Sequence, residues 1–356
     1  QLGTLRTSFP TVAVSGTSSV NRALTQSGSG TSEGFIGLST NRQFLLVTGY
    51  NSTNGSATVS SSVATTFPTN TRVIAKIDAT GVADTRSTLF TSNSGSAIRS
   101  AASVDGTGYW TTGALGMFYV LNGNVAAPTN LTLTNTRVTS IFNNQLYSSS
   151  GAAGFRMATL GTGLPTSGSP VLTNLNGFLT STGDPYSHLF LDLNGGGPDV
   201  LYIASLSAAP SGLLKYTSSN NGATWSAAGS ILGNVFGVTG VFNSCTGNVD
   251  LYITANTTNA KPNTLYRISD LNVTAGSPAN ITNNGLALNT FGTLLATAAT
   301  NTAFGGVAFT PGTILTTPSL YNVTGGNACF GSAISIGLSI SETGINYELK
   351  KEKENL

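Results

Sequence analysis

The chain has 356 residues, 39% of them hydrophobic and 8% charged, where an average soluble domain carries roughly 25% charge; its net charge is +2. Aromatic residues spread along so apolar a chain exclude disorder, and near-neutrality with no basic run before the last nine residues excludes recognition of a nucleic-acid backbone. No stretch approaches the roughly 18 to 20 apolar residues of a membrane span, so no membrane insertion is expected.

The chain opens at Gln1 without Met and without a charged-then-apolar leader, as expected of a mature secreted chain cleaved from its signal peptide. Period-two alternation recurs from there onward, and no segment has a convincing helical pattern. Three strands, "LGTLRTS", "TVAVSG" and "NRALTQS", occupy the first 27 residues. Six self-similar stretches follow: "EGFIGLS" from Glu33, "RSAASVD" from Arg99, "RVTSIFN" from Arg137, "HLFLDLN" from His188, "GVTGVFN" from Gly237 and "FGGVAFT" from Phe304. A second strand follows each of the first five and opens on an apolar or aromatic pair, such as Tyr109-Trp110, Leu201-Tyr202 and Leu251-Tyr252. Third strands read as "RVIAKID", "GMFYVLN", "GFRMATL", "GLLKYTS" and "NTLYRIS", and weaker fourth strands include "DTRSTLF" and "ATWSAAG".

Four strands per repeat describe propeller blades. The expected fold is all-β: a six-bladed β-propeller over residues 1–312, followed by a short C-terminal β tail over 313–356. Its sixth blade has an inner strand, "FGGVAFT", and takes its other strands from the N-terminus, which closes the ring and removes exposed edges.

The strings "SEGFIGLSTNRQFLLVTGYN", "RVIAKIDATG" and "AIRSAASVDGTGYWTTG" resemble a family of secreted β-propeller proteins of the Bacteroidota type. "TRVTSIFNNQLYSSS", "LYIASLSAAPSGLLKYTSSNNGATW" and "LATAATNTAFGGVAF" extend the likeness over nearly the whole propeller. The resemblance implies fold and secretion, and it brings no catalytic residues. "YNVTGGNACFGSAISIGLSISETGINYEL", from Tyr321, is similar to the opening strands of immunoglobulin-like modules of large surface proteins, through Cys329, Gly337 and "ETGINYEL". Such a module needs about 80 to 100 residues to bury its core, so the tail reads as the start of a module cut short. A frayed terminus and a strand donated to a neighbouring subunit are the alternatives.

Candidate sites are few. "SSNNGATW" matches the Asp-box pattern of sialidase-like propellers, with Asn220 where Asp is usual; Ser218, Asn220, Gly222 and Trp225 then form a structural hairpin remote from the centre. Glycoside hydrolysis usually needs two carboxyl groups, yet Glu33 is the one glutamate of the propeller region and its eight aspartates are dispersed. Arg99 and Arg137 open adjacent inner strands; Glu33 is expected to pair with Arg99 across blades and leave Arg137 free for an anionic ligand. His188, the only histidine, completes the ligand-binding candidates and supports neither a catalytic relay nor a metal site by itself. Asp192, Asn194 and Asp199 form an oxygen-rich Gly loop that could hold Ca²⁺, although it lacks the spacing of a dedicated calcium loop. Cys245 and Cys329 allow one disulfide or two separate thiols.

No cofactor is expected. The reading is a non-catalytic extracellular binding or adhesion module that contacts a glycan or other surface ligand. The resemblance adds export by the type IX system and a place in a larger secreted protein, with export machinery or a surface-anchored protein as partner. Two alternatives stand beside it: a carbohydrate-active enzyme of sialidase-like type, and a filament subunit joined through its tail.

Overall fold

The computed structural model describes residues 21–178, 180, 183–206, 211–244, 246–256, 261–271, 292–312, 323–325 and 337–338. The chain divides into two compact units, Gln1–Thr313 and Ile314–Leu356.

In the first unit the described residues form five four-stranded antiparallel sheets, each a meander in chain order. The first sheet is β1 (Ile36–Leu38), β2 (Phe44–Tyr50), β3 (Arg72–Asp78) and β4 (Ala83–Thr88). The second is β5 (Ile98–Ala102), β6 (Gly108–Gly113), β7 (Gly116–Leu121) and β8 (Thr129–Thr132). The third is β9 (Thr136–Phe142), β10 (Gln145–Ser150), β11 (Met157–Leu160) and β12 (Leu172–Asn174). The fourth is β13 (Pro185–Leu191), β14 (Val200–Ser205), β15 (Gly212–Thr217) and β16 (Ser226–Ile231). The fifth is β17 (Asn234–Asn243), β18 (Asn248–Asn256), β19 (Thr264–Asp270) and β20 (Thr293–Thr297). The first strand of each sheet packs on the first strand of the next, so the unit is a β-propeller.

The apolar pairs that open the second strands follow from this stacking. A blade with neighbours on both faces must bury consecutive residues in opposite directions. Tyr109 joins the core between the first two sheets, with Leu46 and Ile74, while Trp110 joins the next core, with Leu146 and Leu160. Leu146 and Tyr147 divide in the same way, as do Leu201 and Tyr202. Each of these cores is therefore shared by two sheets.

Hydroxyl groups stitch the inner ends together. Thr112 Oγ1 donates to Arg137 O (2.5 Å), Ser149 Oγ to Tyr186 O (2.7 Å) and Thr254 Oγ1 to Gly305 O (2.8 Å), each bond reaching into the sequence that follows its own sheet.

Two expectations are corrected here. Among the described residues five blades stand where six were expected, because residues 304–310 carry no strand. That segment instead runs between the last sheet and the first. Gly306 N–H donates to Gly34 O (2.7 Å) and Gly312 N–H to Arg42 O (2.7 Å), while Phe309 meets Tyr252 edge-on at 5.7 Å. A Cβ at Gly305 would collide with Gly34 O, so glycine permits this approach.

The second correction concerns closure. Of the three N-terminal strands, "LGTLRTS" and "TVAVSG" lie outside the described residues. "NRALTQS" does not enter a last blade: Thr25 pairs with Tyr50, and Arg22 N–H donates to Thr85 Oγ1 (2.7 Å). Residues 21–27 thus cross the end of the first sheet, where polar groups of β2 and β4 are open to them. In the second unit, β21 (Val323–Thr324) pairs with β22 (Gly337–Leu338).

Candidate functional site

The inner strands all begin at one end of the propeller, and side chains from several sheets converge there. Phe35, just before β1, joins Val138 of β9, Tyr186 of β13, Phe236 of β17 and Leu206 in one buried cluster. Phe35 and Tyr186 stack at 5.5 Å, and Tyr186 lies 6.2 Å from Phe236. This apolar plug holds a set of charged groups around it.

Glu33 is 6% exposed and accepts a 2.9 Å hydrogen bond from the Tyr50 hydroxyl. Burial raises its pKa, opposed by the Tyr50 bond and the charges of Lys261 and Arg99. Gly30 has no Cβ where Glu33 Oε1 lies, which gives the carboxylate its room. Arg72 sits with its Cζ 5.2 Å from the Tyr50 ring centre and spends its guanidinium on the carbonyls of Ser60, Ser62, Asn70 and Ser96. It is a pin for two loops.

Arg99, 8% exposed, donates from Nη1 to Asn135 Oδ1 and to Thr136 O (2.7 Å), while its Nε has no hydrogen-bond partner. Burial first, and then the neighbouring Arg137 charge, lower its pKa to about 10. Arg137 forms an ion pair with Asp184, donates to Pro185 O (3.3 Å), and lies 4.3 Å from the Tyr186 ring centre.

These contacts correct the expected pairing. No direct hydrogen bond or ion pair joins Glu33 and Arg99. Tyr50, in Glu33's own sheet, reaches the carboxylate first, and Arg99 turns to the next sheet's carbonyl. Arg137 is not free, because Asp184 precedes β13 at a position that faces it. His188 is buried between the third and fourth sheets, with Nε2 2.7 Å from Ser140 Oγ; burial lowers its pKa to about 4.

The remaining candidates are turns. Ser218 Oγ accepts from Gly222 N–H (2.9 Å) and Asn220 Oδ1 from Thr224 N–H (2.9 Å), in the hairpin between β15 and β16. Trp225 is 2% exposed and packs edge-on against Phe178 and Phe190. Asp192 accepts from Gly195 and Gly197 N–H, Asn194 from Gly196 N–H, and Asp199 from Leu193 N–H. The carboxylates of the calcium candidate are thus occupied by their own loop. Among the described residues no three His, Cys, Asp or Glu side chains gather to hold a metal, and no helix is long and apolar enough to cross a membrane. Cys245 and Cys329 lie outside the described residues.

Sequence reasoning missed Tyr50, Lys261, Asp184 and the aromatic plug. The plug did leave a signal, a bulky residue at or just before three inner strands: Phe35, Tyr186 and Phe236. The polar partners left none, because they sit at no fixed offset from the groups they meet.

No protein-family profile and no curated protein matches this sequence. Among solved structures, the chain is similar to the dihydro-heme d1 dehydrogenase NirN (TM-score 0.36, 13% identity, covering 70% of this chain and 48% of that one). It is also similar to YCF48 bound to D1 peptide (TM-score 0.37, 11% identity, 70% and 68%). A third likeness is to the extracellular domain of BT4673 from B. thetaiotaomicron (TM-score 0.33, 12% identity, 65% and 33%). The chain spans about half the length of the NirN chain. Likenesses this distant leave those proteins' activities with those proteins.

Proposed function

We propose that this protein is a non-catalytic extracellular binding module, and that its ligand presents an anionic group to the end of the propeller where the inner strands begin. The observation that carries this is Arg99. Its guanidinium is nine-tenths buried beside a second cation, Arg137, and its Nε edge is unpaired. A buried cation without a carboxylate partner is costly, and a planar anion such as a carboxylate would satisfy that edge. Low charge and a surface rich in Ser, Thr and Asn support a secreted setting with glycan-like contacts. Export by the type IX route, and a place within a larger adhesive surface protein, rest on the family resemblance alone.

A sialidase-like enzyme is the competing reading, favoured by the Tyr50–Glu33 contact near two arginines, since sialidases use a tyrosine nucleophile. Burial argues against it. Tyr50 is 0% exposed, and burial together with the Glu33 charge pushes its pKa up, opposite to what a nucleophile needs.

The test is an array of acidic and neutral oligosaccharides probed with the full chain. Retention on carboxylated sugars that disappears in Arg99→Gln at unchanged melting temperature is the expected result. Retention that survives Arg99→Gln would move the site elsewhere. Hydrolysis of the sugars that is lost in stably folded Glu33→Gln would replace the binding reading with the enzyme.

A further inference from the structure

The fourth and fifth sheets meet at a second charged cluster that the binding site does not use. Lys215, on β15, and Asp270, the last residue of β19, have side chains 0% exposed and lie 2.7 Å apart, Nζ to Oδ2. Tyr202, the cross-strand partner of Lys215, donates its hydroxyl to the same Oδ2 at 2.5 Å. Asp270 Oδ1 has no partner. Tyr202 belongs to the apolar cluster formed with Val200, Leu213, Ile231, Leu251 and Ile268. Among the described residues, this is the one amine–carboxylate pair withdrawn from solvent. The other, Lys76 with Asp84, stands 4.0 Å apart with both side chains partly exposed.

A buried ion pair with one oxygen unsatisfied is poorly compensated for the loss of water. The same geometry favours removal of both charges by condensation. The reacting groups are already in contact, water is excluded, and burial lowers the Lys215 pKa toward the neutral, nucleophilic amine. Tyr202 supplies a fixed donor at the oxygen on which charge would develop.

We propose that Lys215 and Asp270 form an intramolecular isopeptide bond that ties the fourth sheet to the fifth. The Nζ–Cγ bond forms and the bond from Cγ to the unpartnered Oδ1 breaks. That oxygen leaves as water with two protons from the ammonium, so an ammonium and a carboxylate become one neutral amide. Oδ2 stays as the amide carbonyl, held by the Tyr202 hydroxyl. No oxidant or cofactor enters the balance. The Lys76–Asp84 pair, open to water, stays ionic and serves as an internal control.

The experiment is the intact mass of the full folded chain, followed by tryptic mapping. The expected mass is lower than the sequence mass by one water. The expected map contains a branched peptide that joins residues 157–267, uncut after Lys215, to residues 268–350, which carry Asp270. Lys215→Arg, which keeps the charge but cannot condense in this way, restores the full mass. Should that variant fold poorly, Tyr202→Phe provides the second test: it keeps the ring and slows closure at least tenfold, followed as loss of water over time after refolding. A full mass in natively folded wild-type protein, with cleavage after Lys215, overturns the proposal. Closure of Tyr202→Phe at the wild-type rate overturns the part given to Tyr202.

Discussion

Glu33 and His188 are buried titratable groups of opposite kind, and they make opposite pH signatures. Burial raises the Glu33 pKa above its ordinary 4.5, so the folded chain holds that proton more tightly than the unfolded one. Its contribution to stability is complete below pH 4.5 and is lost as the pH rises through the folded value. Glu33→Gln keeps an acceptor for Tyr50 and removes the titration, so the stability difference between wild type and variant should shift in the variant's favour as pH rises from 4 to 7, read by urea unfolding. His188 behaves the other way. Its pKa falls from 6.5 to about 4, so the unfolded chain binds the proton first and stability drops as pH falls across that window. The loss should approach roughly 3 kcal/mol and should be absent in His188→Gln. Because the chain has one histidine, a single imidazole NMR signal reports the titration directly, and it should stay in the neutral form down to about pH 4.

At the scale of elements, the hairpin between β15 and β16 and the segment at 304–310 show two ways of fixing chain without long strands. The hairpin carries its own hydrogen bonds through Ser218 and Asn220 and is anchored by Trp225, which fills the core shared by the third and fourth sheets. Trp225→Ala should cost roughly 3–5 kcal/mol in chemical denaturation, whereas Asn220→Asp, which keeps the acceptor, should stay within about 0.5 kcal/mol. Residues 304–310 depend on others. Thr254 Oγ1 donates to Gly305 O and accepts from Gly237 N–H, so one side chain serves both the last inner strand and the segment beside it. Thr254→Val should destabilise by about 1–2 kcal/mol and raise amide exchange at Phe304 and Gly306 before it does so in the second sheet.

For the molecule as a whole, stability lies in cores shared between neighbouring sheets and in hydroxyl-to-carbonyl bonds, with little long-range charge. The ion pairs of Arg86 with Asp84 and Arg267 with Asp250 have arginines nearly half exposed, a setting where such pairs contribute about 0–1 kcal/mol each. Raising ionic strength from 0.05 to 0.5 M should therefore move the melting temperature by less than about 2 °C, measured by calorimetry. A shift many times larger would mean that surface charge contributes more than these contacts account for.

The sequence by itself determined most of the strands of the five sheets and the class of fold, although "FGGVAFT" and "NRALTQS" do not form the strands expected of them. Period two shows in any strand, and burial on both faces forces the apolar pairs at Tyr109-Trp110 and Leu201-Tyr202, so stacked blades were legible without coordinates. Glu33, Arg99 and Arg137 were also recognisable as charges at the starts of strands, because a charge-poor chain makes each one conspicuous. Their partners were not. Tyr50 for Glu33, Asp184 for Arg137, Ser140 for His188 and Asp270 for Lys215 are 17, 47, 48 and 55 residues away in sequence; the first contact forms within one sheet, across the β1–β2 pairing, and the other three exist only when neighbouring sheets stand side by side. The number of blades was decided there as well. "FGGVAFT" has the composition of an inner strand, but a strand requires a neighbour with free backbone groups in register. In the tertiary structure the neighbours of residues 304–310 are the inner end of the fifth sheet and the entry to the first, so those residues bond as a connecting segment.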